Sequence, residues 1–287
     1  MAGSAIVTPT RISSLTLITR RDNMLGAIIG DIVGSRFEWH NHRSKRFKLF
    51  TADCFFTDDT VMTLAVAQAI LEAAGDYKNL SQLTIKHMQK IGRRYPDCGY
   101  GGMFATWMFS DQPQPYNSFG NGAAMRVSAC GFAATSLQEA LSLAQKVTEV
   151  THNHPEGIKG AQATAAAVFL ARTGHDQNAI RAYIEQNYYP LTKTIDEIRP
   201  TYRFNETCQE TVPQAITAFL EADSFEDALR NAISIGGDSD TVAAITGGIA
   251  EAAFDIPADI RNNALPYLDD SLRKILINFE NTFPKKP

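Results

Sequence analysis

Two short runs, Thr57-Asp58-Asp59-Thr60 and Asp238-Ser239-Asp240-Thr241, lie far apart in the chain, and each opens an apolar, alanine-rich segment that reads as helix. A hydroxyl cap followed by acids in the first turn is ordinary helix chemistry, so either run alone is read as capping. Together they offer four carboxylates and several hydroxyls. These are hard oxygen donors of the kind that hold Mg²⁺ or Mn²⁺. Gathered in a buried place, such carboxylates repel one another unless they are protonated or paired with cations.

Three further constellations carry chemistry. Gly30-Asp31-Ile32-Val33-Gly34-Ser35-Arg36-Phe37-Glu38 spaces Asp31, Gly34 and Glu38 by three and four, along one face of a helix with Glu38 near its end. Asp97-Cys98-Gly99-Tyr100-Gly101-Gly102 and Phe119-Gly120-Asn121-Gly122-Ala123-Ala124-Met125-Arg126 are glycine-rich loops running into helices, where backbone N–H groups can meet phosphate oxygens. Neither is a P-loop, and glycine loops are most often plain connections. Tyr100 and Phe119 are of a type that stacks on adenine, although aromatic rings more often fill cores. In Thr151-His152-Asn153-His154-Pro155, two histidines with no third soft ligand make a poor zinc site. His152 is read as a group that contacts substrate and His154 as structural.

The elements that must position these groups are helices. Apolar residues recur at three and four in Val61, Leu64, Ala65 and Leu71, in Leu137, Leu141, Ala144 and Val147, in Ala163 to Leu170, and in Leu265, Leu268, Leu272 and Ile275. Strand-like alternation is scarce. Turn clusters divide the chain into roughly a dozen helices, which gives an all-α fold, a compact many-helix bundle. The run Ala243 to Ala250 is small on nearly every face and suits a central helix, a stiff support for the acids at its start.

Composition narrows the function. The chain has 287 residues and a net charge of −4, and its longest basic run is Arg43-Ser44-Lys45-Arg46, so no nucleic-acid partner is expected. Four scattered cysteines, with no CxxC, fit neither a zinc site nor a disulfide framework and point to the cytoplasm. No apolar run reaches the ~18 residues of a membrane span. Residues 1–23 read as an N-terminal extension and 24–287 as a single domain expected to act as a monomer. The extension carries three arginines, many hydroxyls and one acid, a composition shared with transit peptides, but lacks the apolar core of a secretory signal.

Gly-Asp-x-x-Gly-x-x-x-Glu, Phe-Thr-Asp-Asp-Thr, Gly-Asn-Gly-Ala-Ala-Met-Arg, Thr-His and Gly-Gly-Asp-Ser-Asp-Thr follow one another in order. This series closely resembles the ADP-ribosylglycohydrolase family, including the dinitrogenase-reductase-activating glycohydrolases, over residues 24–287. The resemblance implies an all-α fold with a central dinuclear metal cleft, two Mg²⁺ or Mn²⁺ ions, and hydrolysis of the bond joining ADP-ribose to a protein. It implies that Thr57, Asp58 and Asp59 hold one ion, Asp238 and Thr241 the other, with Asp240 shared. Glu38, Asp59 and Asp97 match catalytic acids. Gly99, Tyr100, Gly101, Gly102, Asn121, Gly122, Ala123 and His152 match the region that receives ADP-ribose. Arginine is the preferred acceptor. Some relatives are immunity proteins, so a cognate ADP-ribosyltransferase toxin bound through residues 1–23 is a second expected partner, and occlusion of that toxin without catalysis is the rival reading. An aspartate-nucleophile phosphatase is disfavoured because Gly236-Gly237, not an apolar strand, precedes Asp238. An EF-hand fails because Ala243 and Ile249 stand where it needs glycine and glutamate.

Overall fold

Glycines set the closest approach in the molecule. A computed structural model of the chain describes residues 24–284. In it, a Cβ placed on Gly30 would lie 2.0 Å from the carbonyl oxygen of Ala243, and one on Gly34 would lie 2.4 Å from the Cα of Asp240. One on Gly26 would lie 2.3 Å from the carbonyl oxygen of Gly247. Spaced by four, these glycines form a bare stripe on the first helix, so its backbone rests directly on that of a later one.

Among the described residues there are fifteen α-helices, three 3₁₀ helices and no strand. In chain order the α-helices are α1 (Leu25–Gly34), α2 (Asp58–Ala73), α3 (Leu80–Gly92), α4 (Gly102–Phe109), α5 (Gly122–Met125), α6 (Ser128–Ala133), α7 (Leu137–Thr148) and α8 (Pro155–Arg172). They continue with α9 (Gln177–Asn187), α10 (Ile195–Ile198), α11 (Cys208–Leu220), α12 (Phe225–Ser234), α13 (Ser239–Ala253), α14 (Ala258–Ala264) and α15 (Asp270–Thr282). The all-α bundle expected from the sequence is what forms.

Helix α13 is the axis. Every residue from Ser239 to Ala252 is buried, and α1, α8, α11 and α12 pack around it. Its small side chains let neighbouring helices close in on several sides, as befits a helix that is apolar or small all round. Helix α2 joins through α1, and α3 and α15 cover α2 from outside. One expected helix divides. Leu265 and Leu268 belong to a 3₁₀ turn and its end, and Asp269 then caps α15 by accepting from the N–H groups of Ser271 and Leu272. Pro266 and the capping carboxylate override the apolar periodicity there. No helix among the described residues is long and apolar enough to cross a membrane. Residues 1–23, expected to engage a partner, lie outside the described residues.

Candidate active site

The acidic runs begin α2 and α13, and the bundle turns both helix starts toward one cavity of about 800 Å³. At α2, Thr57 is the N-cap: its hydroxyl accepts from the N–H of Asp59 and donates to Asp31 Oδ1 at 2.7 Å. Asp31, fully buried on α1, also accepts from the backbone N–H groups of Thr57 at 2.9 Å and Thr60 at 3.1 Å. Asp31 thus fixes the start of α2 against α1. At α13, Gly236 and Gly237 turn the chain with φ of 70° and 79°, and Asn41 clamps the turn by exchanging two bonds with Gly237 at 2.9 and 3.0 Å. The sequence leaves Asn41 unmarked.

The two starts touch. Thr241 donates its hydroxyl proton to Asp59 Oδ2 at 3.1 Å, and Glu38, just past the 3₁₀ turn that ends α1, closes the group. Glu38, Asp238 and Asp240 each bring an oxygen within 4.8 Å of the others, a spacing that could hold a metal ion. Asp238 is oriented by Asn121, whose amide donates to it at 2.6 Å. Burial raises the proton affinity of Asp58, Asp59, Asp238 and Asp240, and neighbouring carboxylates raise that of Asp58, Asp59 and Asp240 further. Burial pushes Asp31 to about 6 despite its hydrogen bonds. Glu38 rises to about 7 through burial and then the charges of Asp238 and Asp31.

Such a group fits a cation on its own terms. Asp59 Oδ1 is buried with no hydrogen-bond partner, and clustered carboxylates recover their ordinary acidity when a divalent ion sits among them. The donor set is all oxygen, the preference of Mg²⁺ and Mn²⁺ rather than of zinc.

A second part of the wall, beside Asp58, is built from glycine. Gly99, Gly101 and Gly102 line the cavity, and a Cβ on Gly101 or Gly102 would meet nothing within 4 Å, so bare backbone at the start of α4 faces open space. The first N–H groups of a helix have no partner within it and suit an anion. Asn121, Gly122 and His152 line the same wall. His152 is buried, its Nδ1 2.7 Å from the Thr151 hydroxyl, which also receives a bond from the buried Arg126 at 2.7 Å. A guanidinium can only donate, so the threonine oxygen accepts from it, and its own proton goes to Nδ1 at 2.7 Å rather than to the Thr148 carbonyl at 3.5 Å. The ring proton therefore sits on Nε2, beside Gly120 and Gly122. Burial and then Arg126 hold His152 neutral, well below the usual histidine range.

Two expected contact residues stand off the wall. Tyr100 turns its ring onto Phe104, with centroids 5.5 Å apart, and Ala123 is fully buried in the core. Apolar packing takes both side chains. Asp97 lies exposed on the rim. His154 caps α8 by accepting from the N–H of Glu156, the structural place expected for it.

A family model described as ADP-ribosylglycohydrolase matches residues 20–281. The chain belongs to the ADP-ribosylglycohydrolase family. It is 27% identical over 312 residues to ADP-ribosylhydrolase ARH3 of Mus musculus, covering 82% of this chain and 83% of the relative. It is 25% identical over 263 residues to ADP-ribosylarginine hydrolase Tri1 of Pseudomonas putida (strain GB-1), covering 81% and 70%. A solved structure titled ADP-ribosylglycohydrolase-related protein complex shares the fold, with a TM-score of 0.65, 22% identity, and 90% of this chain and 95% of that one covered. Membership in the ADP-ribosylglycohydrolase family makes this protein a glycosylhydrolase, and the acidic cavity is where its family motifs converge.

Proposed function

We propose that the protein releases ADP-ribose from ADP-ribosylated arginine in proteins, using two Mg²⁺ or Mn²⁺ ions. The observation that carries this reading is the convergence of the α2 and α13 acids with Glu38 in one cavity that a bare glycine segment also lines. Thr57, Asp58 and Asp59 would hold one ion and Asp238 and Thr241 the other, with Asp240 between them. The ions supply positive charge that orients the ribose hydroxyls and lowers the pKa of water. The arginine acceptor is favoured by the likeness to an ADP-ribosylarginine hydrolase. The four cysteines are free among the described residues, in keeping with a cytoplasmic setting.

The chain's own groups set out the reaction. Cleaving a ribosyl bond places positive charge on the anomeric carbon, which the surrounding carboxylates stabilise. The start of α4 and the Nε2–H of His152 hold the anionic and hydroxyl-bearing parts of ADP-ribose. Glu38 sits where the leaving group departs and, with its proton affinity near neutrality, accepts or returns a proton at its carboxylate. Asp97 on the rim meets the incoming acceptor side. Asp31 positions the start of α2 and touches no substrate.

The test is a panel of proteins ADP-ribosylated on arginine or on serine, incubated with the protein and Mg²⁺ or Mn²⁺ and followed as free ADP-ribose. Release from arginine is expected, and release from serine alone contradicts the acceptor assignment. Residues 1–23 are proposed as a separate extension that binds a cognate ADP-ribosyltransferase toxin, a role in immunity. The support is that the family match begins only at residue 20. Deleting the extension should leave hydrolysis intact and weaken toxin binding, and equal binding by the truncated protein excludes that role.

A further inference from the structure

The rim beside Glu38 carries an aromatic pair that neither the metal group nor the glycine wall uses. Trp39 is 72% exposed and Phe204 37% exposed, both large apolar side chains on the cavity wall. Their rings stack with centroids 4.9 Å apart and an interplanar angle of 21°. The indole N–H of Trp39 lies near the Glu38 carboxylate and favours its charged form. One face of the indole is thus backed by Phe204 and its polar edge lies beside the acid, leaving the rest of the ring open to the cavity. A tryptophan held this way is a fixed surface awaiting a flat ligand.

Position and charge say which ligand. Glu38 shares the cation group with Asp238 and Asp240, so the bond to be cut lies next to it and the acceptor must leave past Trp39. Adenine is at the far end of ADP-ribose from that bond. Seven carboxylates and a single, fully buried guanidinium line the cavity. Glu206, exposed on the same rim, is close enough to raise the proton affinity of Glu38. An open indole face flanked by carboxylates attracts a planar cation by the quadrupole of the ring and by charge together.

We propose that Trp39, backed by Phe204 and flanked by Glu38 and Glu206, is the acceptor subsite, and that it selects a guanidinium lying flat on the indole. This rests on the arginine reading given above and names the residues that would enforce it. A neutral hydroxyl acceptor gains nothing from such a surface.

The test uses the full chain with Mg²⁺, ADP-ribose and agmatine, a small guanidinium, against pentylurea as its neutral counterpart. Only two tryptophans exist, and Trp107 is buried, so intrinsic fluorescence reports on Trp39. Agmatine should change it saturably in the wild type and not in Trp39→Phe, while pentylurea leaves both unchanged. In parallel, Trp39→Ala should lower kcat/KM for ADP-ribosyl-arginine by about 10-fold, mostly through KM. Trp39→Phe, which keeps a ring but loses the N–H, should stay within about 3-fold of wild type, and Trp39→Ala should bind free ADP-ribose normally. Equal losses in the two variants would show that the N–H beside Glu38 matters rather than the ring face. Weakened binding of ADP-ribose would make the pair an adenine platform. Either result, or a fluorescence signal indifferent to agmatine, overturns the proposal. A saturable agmatine response in a protein that releases ADP-ribose only from serine would keep the subsite and sink the arginine reading.

Discussion

The two walls of the cavity are built on opposite principles. The acidic wall is unfinished by itself: carboxylates from α1, α2 and α13 crowd together, burial raises their proton affinity, and Asp59 Oδ1 finds no partner. The wall around His152 is complete, since Arg126, Thr151 and His152 form a directed chain of hydrogen bonds that ends in one donor aimed at the cavity. On the proposed reading one wall would be stabilised by a cation, whereas the other is set by its own hydrogen bonds.

Removing an acid breaks the contrast most sharply. Asp240→Ala should reduce ADP-ribose release by about 10³-fold, with helical circular dichroism retained. Because the lost carboxylate was repelled by Asp238 and Asp59, the metal-free variant should melt no lower than metal-free wild type. A clear drop in its melting temperature would mean that Asp240 stabilises the bare fold.

Acidity distinguishes the walls next. In the folded chain Asp31 titrates at about 6 and Glu38 at about 7, against ordinary values of 3.8 and 4.5. A carboxyl with a raised folded pKa contributes stability that is full below its unfolded pKa and is lost as pH rises through the folded one. With a chelator present, the melting temperature should therefore fall by roughly 5 °C between pH 5 and pH 8. Saturating Mg²⁺ should remove that slope. A flat profile without metal would mean that the acids are relieved in some other way.

The finished wall gives the smaller effect. Thr151→Val keeps the shape of the side chain and cuts the relay, leaving Arg126 short of an acceptor. A loss of about 10-fold in kcat/KM is expected, and ¹⁵N spectra of the histidine ring should show His152 losing its single Nε2–H form. Unchanged ring shifts would refute the relay.

Much of this was legible in the sequence, because caps and acids at helix starts are local features. Thr57 and Asp238 are read as helix starts from their neighbours alone, and the structure begins α2 and α13 there. The meeting of the two starts was not local. It depends on Gly26, Gly30 and Gly34 seating α1 on α13, and isolated glycines carry no signal of what they approach. Asp31 could be noted only for its spacing, since nothing beside it in the chain announces three bonds to the start of α2. Trp39 and Phe204 lie far apart in sequence and look like any two aromatics until the fold stacks them. Tyr100 and Ala123 went the other way, drawn from a motif match onto the wall but packed by the core.

The central claim is that the acidic wall acts only with its cations. The direct test strips the protein with a chelator, removes the chelator, and titrates Mg²⁺ or Mn²⁺ while ADP-ribose released from ADP-ribosyl-arginine protein is followed alongside calorimetric binding. Release should be absent in stripped protein and rise to a plateau as two ions bind per chain. Full turnover in the presence of excess chelator would contradict the account.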